Sequence, residues 1–297
     1  MTASGKFRQL LARPGVIQCG GVADAGQGLL VQKVGYPAAY LSGAYVNHTR
    51  GYPDGTLTLS EIAERAREIA GRLDIPLIAD GDEGFGDILK VIRTIREFER
   101  AGVAGLHLED MANKKHGDLM PIGEMVNRLR AALEARRSTD FVVIARTDAL
   151  APWRPGIQED LAGCEQDAFE RCQAYAEAGA DLVMPIYASM DWFRRYGPAA
   201  ARPMVLLGGA ARTWPGCAPG RLELDLTAPE LEPLNVKAVI YGTSMLSRCH
   251  PFMEREYRTW LSEGRFASNA DDERDRVEAL KLVGLLEKEA LLRKYGG

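Results

Sequence analysis

Pro76-Leu77-Ile78-Ala79-Asp80-Gly81-Asp82-Glu83-Gly84-Phe85-Gly86 passes from an apolar run to clustered acids to a glycine turn. Pro76 to Ala79 has the length and hydrophobicity of a strand buried on both faces. Asp80, Asp82 and Glu83 follow at once. Asp87 then opens a helix in which Ile88, Val91, Ile92 and Ile95 form one apolar stripe. A buried strand that delivers carboxylates into a glycine turn at its carboxyl end is where an α/β enzyme keeps its chemistry. Like charges so close repel, so a cation is expected among them. Carboxylate oxygens suit a hard ion, Mg²⁺ first and Mn²⁺ as its substitute. The plainer reading is an acidic surface turn that caps the next helix. Capping, however, needs one acid at the helix start and does not ask for Asp80 at a strand end.

Outward from this stretch the same pattern recurs. Val16–Cys19, Ala38–Leu41, Gly105–Leu108, Phe141–Ala145, Asp181–Met184, Met204–Leu207 and Ala238–Tyr241 read as further strands, which with Pro76–Ala79 makes eight. Helices are expected over Asp24–Lys33, Ser60–Leu73, Asp87–Ala101, Gly123–Ala135 and Cys164–Ala178, with residues 44–57 and 208–219 as loops. Strands alternating with helices imply a parallel sheet, and eight of them imply a closed (β/α)8 barrel of the TIM type. A doubly wound open sheet is the alternative. No GxGxxG follows any strand, and polar residues recur at strand ends all around, so the barrel is favoured. Residues 1–297 are read as one domain, with 251–297 a helical extension built from Pro251–Glu263 and Asp272–Tyr295. Val277, Leu280, Val283 and Leu291 give the second of these an apolar face that packs either on its own barrel or on a neighbouring subunit.

Composition narrows the function. The chain is 46% apolar and 26% charged with a formal net charge of −4, a balance that argues against nucleic acid as a partner. No apolar run approaches the roughly 18 residues of a membrane span, and the N-terminus lacks a signal-peptide core. The five scattered cysteines, without a CxxC pair, point to reduced thiols in a cytoplasm.

A barrel would gather Ser42-Gly43, Asp80, Asp82, Glu109 and Arg146 at one mouth. The carboxylates would hold a metal, and Arg146 would face a carboxylate or phosphate, pair with the neighbouring acids, or do both at once. Such a mouth suits a small anionic, oxygen-rich substrate.

Tyr40-Leu41-Ser42-Gly43-Ala44, Ala79 to Gly86, Val91 to Glu99, Ala101 to Asp110 and Ile144-Ala145-Arg146-Thr147-Asp148 occur in this order and spacing. On these motifs the chain resembles the isocitrate lyase / phosphoenolpyruvate mutase superfamily, and its 2-methylisocitrate lyase-like branch in particular. The resemblance implies an α/β barrel whose last helix is exchanged with a neighbour, in a dimer or a tetramer. It further implies Asp80 as a direct Mg²⁺ ligand, with Asp82 and Glu109 holding the metal's waters. Asp54 would be the acid of a mobile gating loop. Tyr40, Ser42, Gly43 and Ala44 would line the 2-oxo acid site together with Asp82 and Arg146. Arg146, Asp54, Lys115 and His116 are the candidate catalytic residues.

Departures from the family pattern matter equally. Lyases of the family carry a Lys-(Lys/Arg)-Cys-Gly-His segment whose thiol protonates the product. Here Lys114-Lys115-His116-Gly117-Asp118 stands in its place. His116 is either a proton donor in the thiol's stead or an exposed loop histidine. The family's glutamate after the sixth strand is replaced by Met184-Pro185-Ile186-Tyr187, and its Asn-Met-x-Glu by Leu207-Gly208-Gly209-Ala210. Tyr187, Arg212, Trp214 and Arg248 are candidate replacements. The leading expectation is a Mg²⁺-dependent lyase that cleaves a C–C bond of a 2-hydroxy or 2-oxo di- or tricarboxylic acid through a metal-stabilised enolate. A 2-oxo acid decarboxylase of the oxaloacetate type is the alternative. Behind it come a P–C bond mutase or hydrolase and a non-catalytic metabolite-binding relative.

Overall fold

The computed structural model describes residues 1–112, 118–208, 227–264 and 270–296, and the backbone at 211–212 and 220–221. Eight short strands pair in parallel and close on themselves: β1 (Ile17–Val22), β2 (Ala38–Leu41), β3 (Leu77–Asp80), β4 (Gly105–Glu109), β5 (Val142–Thr147), β6 (Leu182–Pro185), β7 (Met204–Leu207) and, last around the ring, Val236–Tyr241. A two-residue antiparallel ribbon, β8 (Ala211–Arg212) with β9 (Gly220–Arg221), lies between β7 and that last strand, which is therefore β10. The (β/α)8 barrel expected from the strand count is the observed fold.

Strand parity sorts the side chains into two layers, because successive residues point to opposite faces. Cys19, Tyr40, Ile78, Val142, Ile144, Met184, Val205 and Ile240 belong to one cluster, which fills the barrel. Val22, Leu41, Ala79, Leu108, Val143, Val183 and Leu206 belong to the other, between strands and helices. Phe7, fully buried on α1 (Ala3–Ala12), joins the inner cluster together with the strand starts Ile17, Ala38 and Val142. It thus plugs the amino end of the barrel. Arg8 fastens that helix to the loop before β5 and to Asp181, with its Nη2 at 2.8 Å from Asp181 Oδ1.

Outer helices are α2 (Ala25–Val34), α4 (Leu59–Ala70), α5 (Ile88–Arg100), α6 (Ile122–Ala135) and α7 (Leu161–Glu177). Asp87 caps α5 by accepting from Leu89 and Lys90 N–H at 3.1 Å, so the capping part of the plainer reading is also true. The buried stripe of α5 is Val91, Thr94, Ile95 and Phe98, whereas Ile88 is exposed.

Three local expectations are corrected. Residues 44–57 are not all loop, because α3 (Gly43–Thr49) starts there under a Ser42 N-cap. The helix expected from Pro251 begins earlier: α10 spans Leu246–Glu263 and runs through Pro251. The helix expected over Asp272–Tyr295 is two, α11 (Ala270–Leu282) and α12 (Leu285–Tyr295), parted at Gly284, whose φ of 99° no right-handed helix accommodates. Short helices α8 (Met190–Tyr196) and α9 (Ala228–Leu231) complete the set. Among the described residues no helix is long and apolar enough to cross a membrane.

Candidate active site

Parity carries the inner layer into charge at the carboxyl ends of three adjacent strands. Two residues beyond Ile78 is Asp80, two beyond His107 is Glu109, and two beyond Ile144 is Arg146. Register then sets them side by side: Asp80 pairs across with His107, and Glu109 with Arg146. Carboxylate oxygens of Asp80, Asp82 and Glu109 all lie within 4.8 Å of one another. All three residues are buried, at 5%, 5% and 0% exposure.

Local backbone aims these acids. Gly43 N–H, at the start of α3, donates to Asp80 Oδ2 at 3.2 Å, and Asp82 N–H donates to Asp80 Oδ1 at 3.1 Å. A Cβ on residue 43 would stand only 3.0 Å from Asp80 Oδ2, so any other residue there would press on that carboxylate. Asp82 sits at φ 45°, in the left-handed region that aspartate tolerates better than most residues. His107 Nε2 is 3.6 Å from Asp80 Oδ1 and 2.9 Å from the Tyr40 hydroxyl, which places Tyr40 one group behind Asp80.

Arg146 is committed to acids on two sides. Its Nε and Nη2 each lie 2.8 Å from Asp148, a bidentate pair, and its Nη1 is 2.9 Å from Glu109 Oε2. Burial works against the guanidinium charge, but Asp148, Glu109 and Asp80 overcome it and hold the pKa well above the ordinary arginine value. Of the two readings open for Arg146, pairing with neighbouring acids is therefore observed. The contact with Asp148 is a bidentate hydrogen-bonded pair, whereas the contact with Glu109 is an ion pair.

The remaining expected residues fall as follows. Ser42 is buried and caps α3, its Oγ accepting Tyr45 N–H at 3.4 Å, and Ala44 is half-buried on the same turn. Asp54 is exposed on the loop after α3 and is not part of the buried acidic triad. Asn47 fastens that loop, taking Thr56 and Leu57 N–H on Oδ1 at 3.2 and 3.1 Å. Lys115, His116 and Trp214 lie outside the described residues, and so does the side chain of Arg212. Tyr187 is half-buried at φ 64°, its ring edge-on to Trp153 at 5.2 Å. Arg248 is exposed on α10. Glu83 is buried but outside the triad. Sequence reading missed Asp148 and His107. The first was signalled by the Arg-Thr-Asp spacing, which puts both charges on one face of a strand; the second by alternation with Glu109.

An all-carboxylate oxygen donor set, buried and this closely spaced, fits a hard divalent cation. Barrel and site together define a (β/α)8 enzyme with an acidic, metal-competent mouth. Residues 7–261 match the sequence profile of the phosphoenolpyruvate phosphomutase family, and the chain belongs to that family. A 2-methylisocitrate lyase of Bacillus subtilis is 34% identical over 296 aligned positions, covering 97% of this chain and 91% of that protein. Oxaloacetate acetylhydrolase, solved with its product oxalate, superposes with a TM-score of 0.83 at 27% identity, over 100% of this chain and 99% of that one. Phosphonopyruvate hydrolase, solved with oxalate and Mg²⁺, superposes with a TM-score of 0.81 at 26% identity over the whole of both chains. The family expected from the sequence motifs is thus the family found, and its relatives place the chain among carbon–carbon lyases.

Proposed function

We propose that this protein is a Mg²⁺-dependent lyase cleaving a C–C bond of a 2-hydroxy or 2-oxo di- or tricarboxylic acid. One observation carries the reading: a buried triad of Asp80, Asp82 and Glu109 beside Arg146 at the carboxyl end of the barrel. Asp80 would hold the cation directly, with Asp82 and Glu109 holding it through water; Mn²⁺ would substitute. A cation there supplies Lewis-acid stabilisation of the negative charge that develops as the C–C bond breaks, an effect worth several kcal/mol.

The chain's own groups do the rest. Asp80 is held for its task by Gly43 N–H and by the turn at Asp82. The Ser42-Gly43-Ala44 turn would line the substrate-carboxylate site, with Ser42 N–H already given to the Val22 carbonyl and Gly43 N–H to Asp80, and Tyr40 supports the Asp80 side through His107. Arg146 keeps a permanent positive charge in a buried site, where it would attract an anionic group strongly. Asp54, Lys115 and His116 remain our candidates for closing the site and moving a proton. Exposed apolar side chains on the C-terminal helices, among them Phe252, Tyr257, Leu261 and Leu286, support packing against a neighbouring subunit in a helix-swapped dimer or tetramer. The described cysteines are all free, which suits a cytoplasmic setting.

A second reading is a decarboxylase of the oxaloacetate type. The observation in its favour is histidine at 116 where family lyases carry cysteine, since CO₂ loss can take its proton from solvent.

Proton NMR with Mg²⁺ and a panel of oxaloacetate, isocitrate, 2-methylisocitrate, dimethylmalate and phosphonopyruvate tests both. Two organic products from a hydroxy acid are expected. Pyruvate from oxaloacetate alone, above the metal-only background, would make the decarboxylase correct.

A further inference from the structure

The acid that follows Glu109 has no part in the proposed chemistry, yet it is among the most completely bonded groups in the molecule. Asp110 is fully buried. Its Oδ1 accepts Asp148 N–H at 2.9 Å, and its Oδ2 accepts the Tyr175 hydroxyl at 2.7 Å and Arg171 Nη1 at 3.1 Å. Arg171 Nη1 also donates to the Tyr175 hydroxyl oxygen at 3.2 Å and to the Met120 carbonyl at 2.9 Å. Arg171 and Tyr175 are four residues apart on α7, so one face of that helix presents both.

This cluster touches the active site by two routes. Asp148, whose carboxylate grips Arg146 through Nε and Nη2, has its own backbone N–H pinned by Asp110. The second route runs along the chain after β4. Met120 N–H donates to the Asp110 carbonyl at 2.7 Å, Ala112 N–H to the Asp118 carbonyl at 3.1 Å, and Met111 bridges to Leu119. Residues 110–112 and 118–120 are thereby paired. Arg171 holds Asp110 on the first of these stems and Met120 on the second. Burial pushes the Asp110 carboxyl above its ordinary pKa, and Arg171 is the main group opposing that rise.

We propose that Arg171 and Tyr175 are positioning residues of the active site: through Asp110 and Asp148 they fix the guanidinium of Arg146 toward the anionic substrate. The inference rests on reading Arg146 as the group that faces that anion. It does not make either residue catalytic, because neither reaches the mouth. A buried Asp–Arg pair that served stability alone would have no reason to bond the backbone of Asp148, which holds Arg146 by two nitrogens.

The test uses the full chain loaded with Mn²⁺ and takes oxalate, a small planar dianion, as the probe. Tyr175→Phe removes one donor to Asp110 while conserving volume, and a charge-assisted bond of this kind governs roughly a tenfold effect. Oxalate affinity is therefore expected to fall roughly tenfold, with Mn²⁺ affinity changed less than about twofold. Arg171→Met is expected to lose more, and Arg171→Lys to recover part of the loss. Asp167→Asn, which alters Arg171 only on its Nε side, is expected to bind oxalate as the wild type does. Wild-type oxalate affinity in Tyr175→Phe and Arg171→Met, with only the melting temperature lowered, would overturn the proposal. Should Arg171→Met fail to fold, Tyr175→Phe decides alone. Failure of the wild type itself to bind Mn²⁺ or oxalate would instead sink the proposed function on which this inference stands.

Discussion

Two arcs of the same barrel mouth obey one geometry and end in opposite chemistry. On β3, β4 and β5 the inward positions run from Ile78 to Asp80, from His107 to Glu109 and from Ile144 to Arg146. On β6, β7 and β10 they run from Met184 to Ile186, from Val205 to Leu207 and from Ile240 to Gly242. A Cβ on Gly242 would meet Leu207, Tyr40 and Ser42 at 3.5–3.8 Å, so this apolar arc adjoins the Ser42 turn. The strands do not distinguish the arcs; the last inward side chain does. Charge is tolerated on the first arc because it is answered on the spot, Glu109 and Asp148 by Arg146, and Asp80 by backbone N–H groups. Ile186 and Leu207 instead continue the packing of the barrel interior.

Substitutions that separate the arcs should separate their consequences. The largest effect belongs to Asp80→Ala, which should lower turnover about 10³-fold or more while leaving the circular dichroism spectrum unchanged. Full activity in that variant would remove the metal-centred reading. Arg146→Met strands Glu109 and Asp148 as buried, unanswered charges. It should cost about 3–5 kcal/mol in chemical denaturation besides abolishing turnover. Met184→Ala, in the apolar interior below the second arc, should cost about 2–4 kcal/mol and leave turnover within about threefold. A collapse of kcat there would mean that the interior is part of the chemistry. Ser42→Ala should be mildest, about 1 kcal/mol from the lost α3 cap, read as a small fall in melting temperature.

The charged arc was legible in the sequence because a buried strand cannot hide an acid at its end. Ile78-Ala79-Asp80 and Ile144-Ala145-Arg146 announce both the strand and its exit. Asp148 is harder to read, because an arginine at a strand exit points to substrate or to the acids of other strands before it points to the residue two places on, although residues two apart on a strand share a face. Arg171 and Tyr175 were invisible for another reason. Their helix reads as an ordinary amphipathic segment, and only the fold brings it against Asp110. Helix α3 reads as loop in the sequence because residues 44–57 are polar and contain glycines. In fact Ser42 caps the helix, and Gly43 makes room for Asp80. Gly284 was passed over for the opposite reason: the apolar spacing across it looked continuous, whereas its left-handed backbone divides the helix.

The most direct measurement is a titration of the purified protein with Mn²⁺, followed by electron paramagnetic resonance, alongside the Asp80→Ala variant. The account predicts one saturable site per chain in the wild type, displaced by Mg²⁺, and none in the variant at equal folded content. Equal binding by the two proteins, or no binding by either, would contradict the assignment of Asp80, Asp82 and Glu109 as the metal centre.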